Sequence, residues 1–416
     1  MAEILHLSTF LRRPIFDQDG DRIGRVQDLV ARLGDDAHPP IVGAVIRIEG
    51  RNLFVPIRKI GGLSEGRMTF EGSRVDLRRF ERRPGELLLA EDLLARHLIN
   101  LVRGRLIIAN EIEIAQIDGR WEVVGVDPGR RPFFRRVLGQ KMGQRVKADS
   151  IVDFASIEPF VSHVPSARLR IPYRKLAKLH PAQIADLVEQ ASHEEGEEII
   201  EAVGHDRELE ADVFEELDEH HQLEFIRERS DAEVAAVIAR MASDDAADLI
   251  VEIDQERRGR ILARLPAAQR RRIEALLGYN PSTAGGLMSP EFISLREGDS
   301  AGAAIEKARS SSVAPSSAMI VYMCSEHGCL QGSSSLVTLL RAGADTRLEE
   351  IVEREPISVK TDADLPEVAR TMTDYNLLML PVLDHDERMV GVVTVDDVLE
   401  LTLPAGWRRR FGVVRD

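Results

Sequence analysis

From Leu7 to about Val126 the apolar residues come in short runs separated by turn-forming residues, the spacing of strands. Asp19-Gly20 lies between Arg13-Pro14-Ile15-Phe16 and Ile23-Gly24-Arg25-Val26, which predicts a hairpin. Further strands are predicted at Ile41 to Ile48, Asn52 to Pro56, Leu87 to Ala90, Arg105 to Ile108, Ile112 to Ile117 and Trp121 to Val126. From His180-Pro181, itself a helix start, the period becomes helical. Apolar residues recur as Ile184, Leu187 and Val188, then Val213, Phe214 and Leu217, and so on to Ile273, Leu276 and Leu277. Each helix is short, has its own polar start and buries its stripe only against a neighbour, so the segment reads as a short solenoid of paired helices. Beyond Pro281 strands return at Met319 to Met323, Leu330 to Ser334, Leu380 to Leu383 and Val390 to Thr394, with helices at Leu365 to Asp374 and Val395 to Leu401. Pro381 is placed at the start of its strand, where a missing N–H is tolerated.

Charge divides the chain. Residues 1–180 carry 31 Lys and Arg against 23 Asp and Glu, residues 181–256 carry 4 against 25, and residues 257–416 carry 20 against 22. The acidity thus belongs to the solenoid. Within it Ser243 reads as an N-cap and Asp244 and Asp245 as first-turn acids that complement the helix dipole. Asp248 stands four residues after Asp244 on the same face, a like-charge pair that costs a helix about 0.2–0.5 kcal/mol. A hard divalent cation offsets such a cost; a solvated acidic face is the alternative.

Other chemistry is thinner. Asp17, Asp19 and Asp21 have their glycine at the fourth position of the loop and Asp28 at the twelfth, which does not fit a calcium loop. Cys324, His327 and Cys329 lack a fourth ligand, and Glu326-His327-Gly328 reads as a turn between strands. No phosphate loop, nucleophile elbow or zinc-hydrolase spacing occurs, so no enzymatic activity is expected. The apolar runs fall short of the roughly 18–20 residues of a membrane helix, and no signal peptide is indicated, so a cytoplasmic protein is expected. Gly129 to Ala148 holds seven basic residues, no acid, and Phe133 and Phe134. That strip suits RNA, anionic lipid or an acidic protein surface; net acidity elsewhere favours protein docking and disfavours nucleic acid.

Three resemblances follow from these residues. The run Leu11-Arg-Arg-Pro-Ile-Phe-Asp-Gln-Asp-Gly-Asp-Arg-Ile-Gly-Arg-Val-Gln-Asp-Leu29 resembles a PRC-barrel, with a weaker copy from about Leu93 through Trp121-Glu-Val-Val-Gly-Val-Asp127. That resemblance implies a small β-barrel adaptor. Residues 180–279, followed by Pro281-Ser-Thr-Ala-Gly-Gly-Leu-Met288-Ser-Pro290, are similar to the cytosolic N-domain and linker of the MgtE magnesium channels. Ile357 to Asp364, Tyr375 to Asp384 and Val390-Gly-Val-Val-Thr394-Val-Asp-Asp397 resemble the CBS modules of the same family. The expected fold is therefore multidomain α+β: residues 1–150 a PRC-barrel-like β domain with a basic linker, 151–280 the all-α solenoid, 281–403 an α/β CBS pair (about 285–345 and 350–403), and 404–416 a tail.

The family resemblance implies magnesium ligands at Asp212, Asp244 and Asp248 on the solenoid and at Asp364, Asn376, Asp397 and, by charge type, Glu400 on the CBS side. Asn376 replaces an acid, and Pro366 stands where another is expected, which predicts weaker or fewer ions. Mg2+, or another divalent cation, is the expected ligand. The CBS resemblance implies a second site in which Gly391, Thr394 and Asp397 hold a ribose. Thr338 in place of an acid in the first module, and Ile320 and Leu377 in place of aromatic residues, disfavour an adenine nucleotide. The transporting relatives continue into membrane helices, whereas this chain ends Leu401-Thr-Leu-Pro404-Ala-Gly-Trp407-Arg-Arg-Arg410-Phe411-Gly-Val-Val-Arg-Asp416. The resulting expectation is a magnesium-sensing regulator, homodimeric through its CBS pair, acting on a partner such as a membrane cation transporter. The alternatives are an adenine-nucleotide sensor and an RNA- or ribosome-associated adaptor.

Overall fold

The computed structural model describes residues 4–34, 36–62, 68–72, 78–129, 151–160, 173–311, 313–315 and 317–403. The basic strip at 130–148 and the tail at 404–416 lie outside them. Contacts divide the chain into two compact units, Met1–Leu217 and Asp218–Asp416, so the division falls inside the helical run.

In the first unit a seven-stranded sheet runs Arg51–Pro56, Ile41–Ile48, Arg22–Arg32, Pro14–Phe16, Thr69–Phe70, Ile60–Gly61, with Glu86–Leu88 beside Arg22–Arg32. A second sheet joins Ile4–His6, Glu111–Ile117, Arg120–Asp127 and Val152–Asp153. The inward residues, among them Phe10, Ile15, Leu29, Ile46, Ile112 and Val126, form one core. The hairpin at Asp19-Gly20 is present, with Gly20 at φ +90°. The closed small barrel is not found: the larger sheet ends at Arg51–Pro56 and Ile60–Gly61, which are not paired with each other among the described residues.

Two local features differ from the pattern reading. Gln27 is extra in the pairing of Arg22–Arg32 with Ile41–Ile48, where Val26 faces Ile46 and Asp28 faces Val45. This bulge turns Asp28 inward, where it is 6% exposed. The strand expected at Leu87 to Ala90 stops at Leu88 and becomes a π-helical turn, Leu89–Leu93. Asp28 explains why: its carboxylate accepts the N–H groups of Leu29, Ala90 and Glu91 at 2.7, 2.8 and 2.9 Å. Asp92 closes the same turn by accepting from Leu88 N–H at 2.7 Å and from Arg82 at 3.0 Å.

The helices Pro181–Gln190, His193–Val203 and Arg207–Glu216 complete the first unit. Their starts are capped by His180, Ser192 with Glu195, and Asp206. The second unit continues with Glu219–Arg227, Asp231–Ile238, Ser243–Glu252, Gln255–Leu262 and Ala267–Leu276, in which alternate helices pack together. Asp218 and the Ser230/Glu233 box cap the first two. Part of the acidity of this stretch is therefore spent on helix starts, where a carboxylate satisfies otherwise unpaired N–H groups.

Two βαββα modules follow. The first is built from Ile293–Arg296, Ala301–Ser310, Ile320–Cys324, Leu330–Ser335 and Leu336–Arg341; the second from Val359–Lys360, Leu365–Tyr375, Met379–Leu383, Met389–Thr394 and Val395–Thr402. Tyr322 and Cys324 of the first share a core with Met379, Leu383, Met389 and Val392 of the second. The turn at Glu326-His327-Gly328 is as expected, with Gly328 at φ +82°. Pro381 is the third residue of its strand, not the first. The position is tolerated because the neighbouring Val359–Lys360 strand reaches only Val382 and Leu383.

Candidate cation site

Asp244 and Asp248 both lie on the Ser243–Glu252 helix, as expected, but Ser243 is not its N-cap. Ala242 holds that position without a side-chain bond, and Ser243 is the first helical residue, fully buried. Its hydroxyl donates to Glu291 Oε1 at 2.6 Å and accepts from Arg272 Nε at 3.3 Å, while Arg272 Nε lies 3.1 Å from the same carboxylate. Glu291 Oε2 also accepts from Ser289 at 3.2 Å. A buried tertiary acceptor outcompeted the local capping role. These residues join the last helices to the linker, and the linker is laid on the second module. Ala284 and Gly285 donate to Ala363 and Thr361 at 2.8 and 2.9 Å, and Ser289 pairs with Val392 in both directions at 2.8 and 2.9 Å.

That seating brings a helical acid and a CBS acid into one electrostatic neighbourhood. The Asp248 carboxyl is held above the ordinary carboxylate range by desolvation, then by repulsion from Glu252 and Glu400. Asp397 is raised by burial, against the hydrogen bonds of Thr394, and further by Asp396 and Glu400. Glu252 is raised by burial and by Glu219. Asp244, Asp248 and Glu252 recur every four residues along one face, so Glu252 was readable in the sequence as a continuation of the row.

The remaining predicted ligands are placed differently. Asp212 sits on Arg207–Glu216 in the first unit, raised by burial, Glu208 and Asp206, and lowered by His180. Asp364 is the N-cap of Leu365–Tyr375 and accepts from Glu367 N–H at 2.9 Å. Asn376 ends that helix in the left-handed region, φ 51° and ψ 47°. Asparagine tolerates that conformation, which gives the residue a backbone reason to be there. Among the described residues no three of the predicted acids hold carboxylate oxygens within 4.8 Å of one another. The donor set is all oxygen and, Asn376 apart, carboxylate, which fits a hard, partly hydrated cation held loosely rather than in a preformed cage.

Each residue of the expected ribose motif also has a structural role. Thr394 and Asp397 form the capping box of Val395–Thr402. In the first module Thr338 plays the part of that acid, its hydroxyl 2.8 Å from Ser335 Oγ. A Cβ on Gly391 would stand 2.7 Å from the Met288 sulfur and 2.8 Å from the Ser289 carbonyl, so the linker itself demands glycine.

Residues 179–282 match the model of the MgtE intracellular N domain and residues 348–403 that of the CBS domain. Magnesium transporter MgtE of Thermus thermophilus is 34% identical over 194 residues, 46% of this chain and 43% of the relative. Its namesake from Bacillus subtilis is 25% identical over 192 residues, with the same coverage. Among solved structures, the cytosolic domain of the Mg2+ channel MgtE in complex with ATP is 31% identical with a TM-score of 0.52, covering 55% of this chain and 93% of that one. The soluble part of a magnesium transporter is 25% identical with a TM-score of 0.51, covering 55% and 89%. The chain spans less than half the length of these curated relatives. No helix among the described residues is long and apolar enough to cross a membrane. Neither matched model describes an enzyme. Residues 179 to 403 are thus similar to the cytosolic part of the MgtE magnesium transporter family, its intracellular N domain and CBS modules.

Proposed function

We propose that this chain is a cytoplasmic, non-catalytic magnesium sensor in which Mg2+ joins the acidic face of the last helices to the second CBS module and thereby controls a partner, such as a membrane cation transporter. The observation that carries the reading is the repulsion of Asp248 by Glu400 across that junction, with Glu400 also repelling Asp397 on the CBS side. Like charges about 4 Å apart repel by about 1 kcal/mol in water and about 4 at an effective dielectric of 20, and a bridging cation reverses the sign. Asp244 and Asp364 are additional carboxylate donors in this reading; Asn376 offers an oxygen without charge, and Asp212 is the ligand this reading needs least. Pairing of two chains through the CBS modules, and the four-part division at residues 150, 280 and 403, belong to the same reading.

Millimolar Mg2+ at matched ionic strength is expected to contract the small-angle scattering profile and slow limited proteolysis, with Asp248→Asn needing a severalfold higher concentration. Because the carboxyls concerned are held above their usual range, protons compete with the ion and the response shrinks as the pH falls. Profiles unchanged by Mg2+ in both proteins would remove the proposal.

A nucleotide at the CBS modules is a second reading, favoured by the relative solved with ATP. Since Gly391, Thr394 and Asp397 have structural roles here, calorimetry is expected to show at most weak heats with ATP. Binding tighter than about 0.1 mM that is lost in Asp397→Ala would instead establish the site.

A further inference from the structure

The first unit contains a cavity of about 870 Å³ that the magnesium reading leaves without a role. Its walls come from the Ile41–Ile48 and Arg51–Pro56 strands, the Ile57–Lys59 turn, and the hairpin that carries Gly119, Arg120 and Trp121. The volume falls within the roughly 300–1,000 Å³ of small-molecule sites and is a poor match for an extended macromolecule. Arg32, Arg58, Lys59, Arg83 and Arg120 line it, and no carboxylate does among the described residues.

Not all five charges are free to act. Glu86 lies 3.8 Å from Arg32 and 3.9 Å from Arg83, and the Arg83 guanidinium stands 5.4 Å over the Phe54 ring. Lys59 lies 5.9 Å over Phe70. Arg58 and Arg120 both line the cavity, and neither is paired with a carboxylate among the described residues. Two exposed guanidinium forks lining one concavity suit phosphate oxygens, which they bind in pairs. The half-buried Trp121, Val42, Phe54 and Ile57 also line it and supply its apolar surface. A ligand matching both features carries at least two phosphate charges and a planar ring.

We propose that this cavity binds a small organic polyphosphate of the nucleoside type, its phosphates held by Arg58 and Arg120 and its ring placed against Trp121. The site is independent of the CBS modules and of the acidic junction.

Trp121 is also the reporter. The chain has two tryptophans, so Trp407→Phe in the full-length protein leaves Trp121 alone to emit. In Mg2+-free buffer at constant ionic strength, ATP and GTP are expected to change its emission saturably. Arg58→Ala with Arg120→Ala, both exposed positions, is expected to weaken the response at least about tenfold. Asp397→Asn should leave it unaltered, which separates this site from the CBS modules. Inorganic tripolyphosphate is expected to bind more weakly than either nucleotide; equal affinity would overturn the assignment of the ring to Trp121. No saturable change up to about 5 mM ligand, an undiminished response in the double variant, or a response only to single-stranded oligonucleotides would each overturn the proposal.

Discussion

Asp28→Ala is expected to cost the strand-rich unit about 2–4 kcal/mol, because three backbone N–H groups lose their acceptor and a buried unsatisfied donor costs about 1–3 kcal/mol. The π-helical turn at Leu89–Leu93 then keeps only the Asp92 closure and its buried leucines, so the damage should spread to the Glu86–Leu88 pairing. Unfolding followed through Trp121 in the Trp407→Phe background reads this unit directly. A shift below about 0.5 kcal/mol would show that water replaces the carboxylate, and the account of the turn would be wrong.

The same group gives a pH dependence of defined sign. Burial pushes the Asp28 carboxyl from 3.8 up to about 7, against the three backbone hydrogen bonds, with Asp92 adding repulsion. Between those values the folded chain holds a proton that the unfolded chain releases. The contribution is therefore fully present below pH 3.8 and is lost as the pH rises toward 7. Stability of this unit should fall over that window more steeply in the wild type than in Asp28→Asn, whose amide does not titrate. Parallel curves for the two proteins would contradict this.

Gly391→Ala is the second large effect, at about 1–3 kcal/mol. The new methyl group meets the flexible Met288 side chain, which can move, and the Ser289 carbonyl, which is backbone. The linker must lift, breaking the Ser289–Val392 pair and displacing Glu291 from Ser243 and Arg272. Gly259→Ala is the control. It lies in the Gln255–Leu262 helix with open space where the methyl would go, and should stabilise by about 0.5–1 kcal/mol. Thermal denaturation of the two variants in opposite directions is the expected result; equal shifts would mean that the linker contact is not tight.

The helical repeats and the CBS strands were legible because their signals are local. Apolar period, Ser192 and Ser230 three residues before a glutamate, and the Thr394–Asp397 box lie within one or two turns of chain. The row Asp244, Asp248, Glu252 was equally readable, and only its last member was passed over. Ser243 shows the limit of the same rule. A serine before two aspartates satisfies every local criterion for an N-cap, yet Glu291, far along the chain, bound it more strongly in a buried setting.

The sequence by itself determined the kinds of element, their order, the concentration of acid in the solenoid and the MgtE likeness of residues 179–403. Tertiary structure alone decided which charges meet. Gln27 had to bulge for Asp28 to point inward, the linker had to seat on Val392 for Glu400 to repel Asp248, and two sheets had to pack for Arg58 and Arg120 to face one cavity. Helix period and capping depend on neighbours three or four residues away, which a sequence displays directly. Desolvation and repulsion depend on distances through space, which are settled only when the chain has folded.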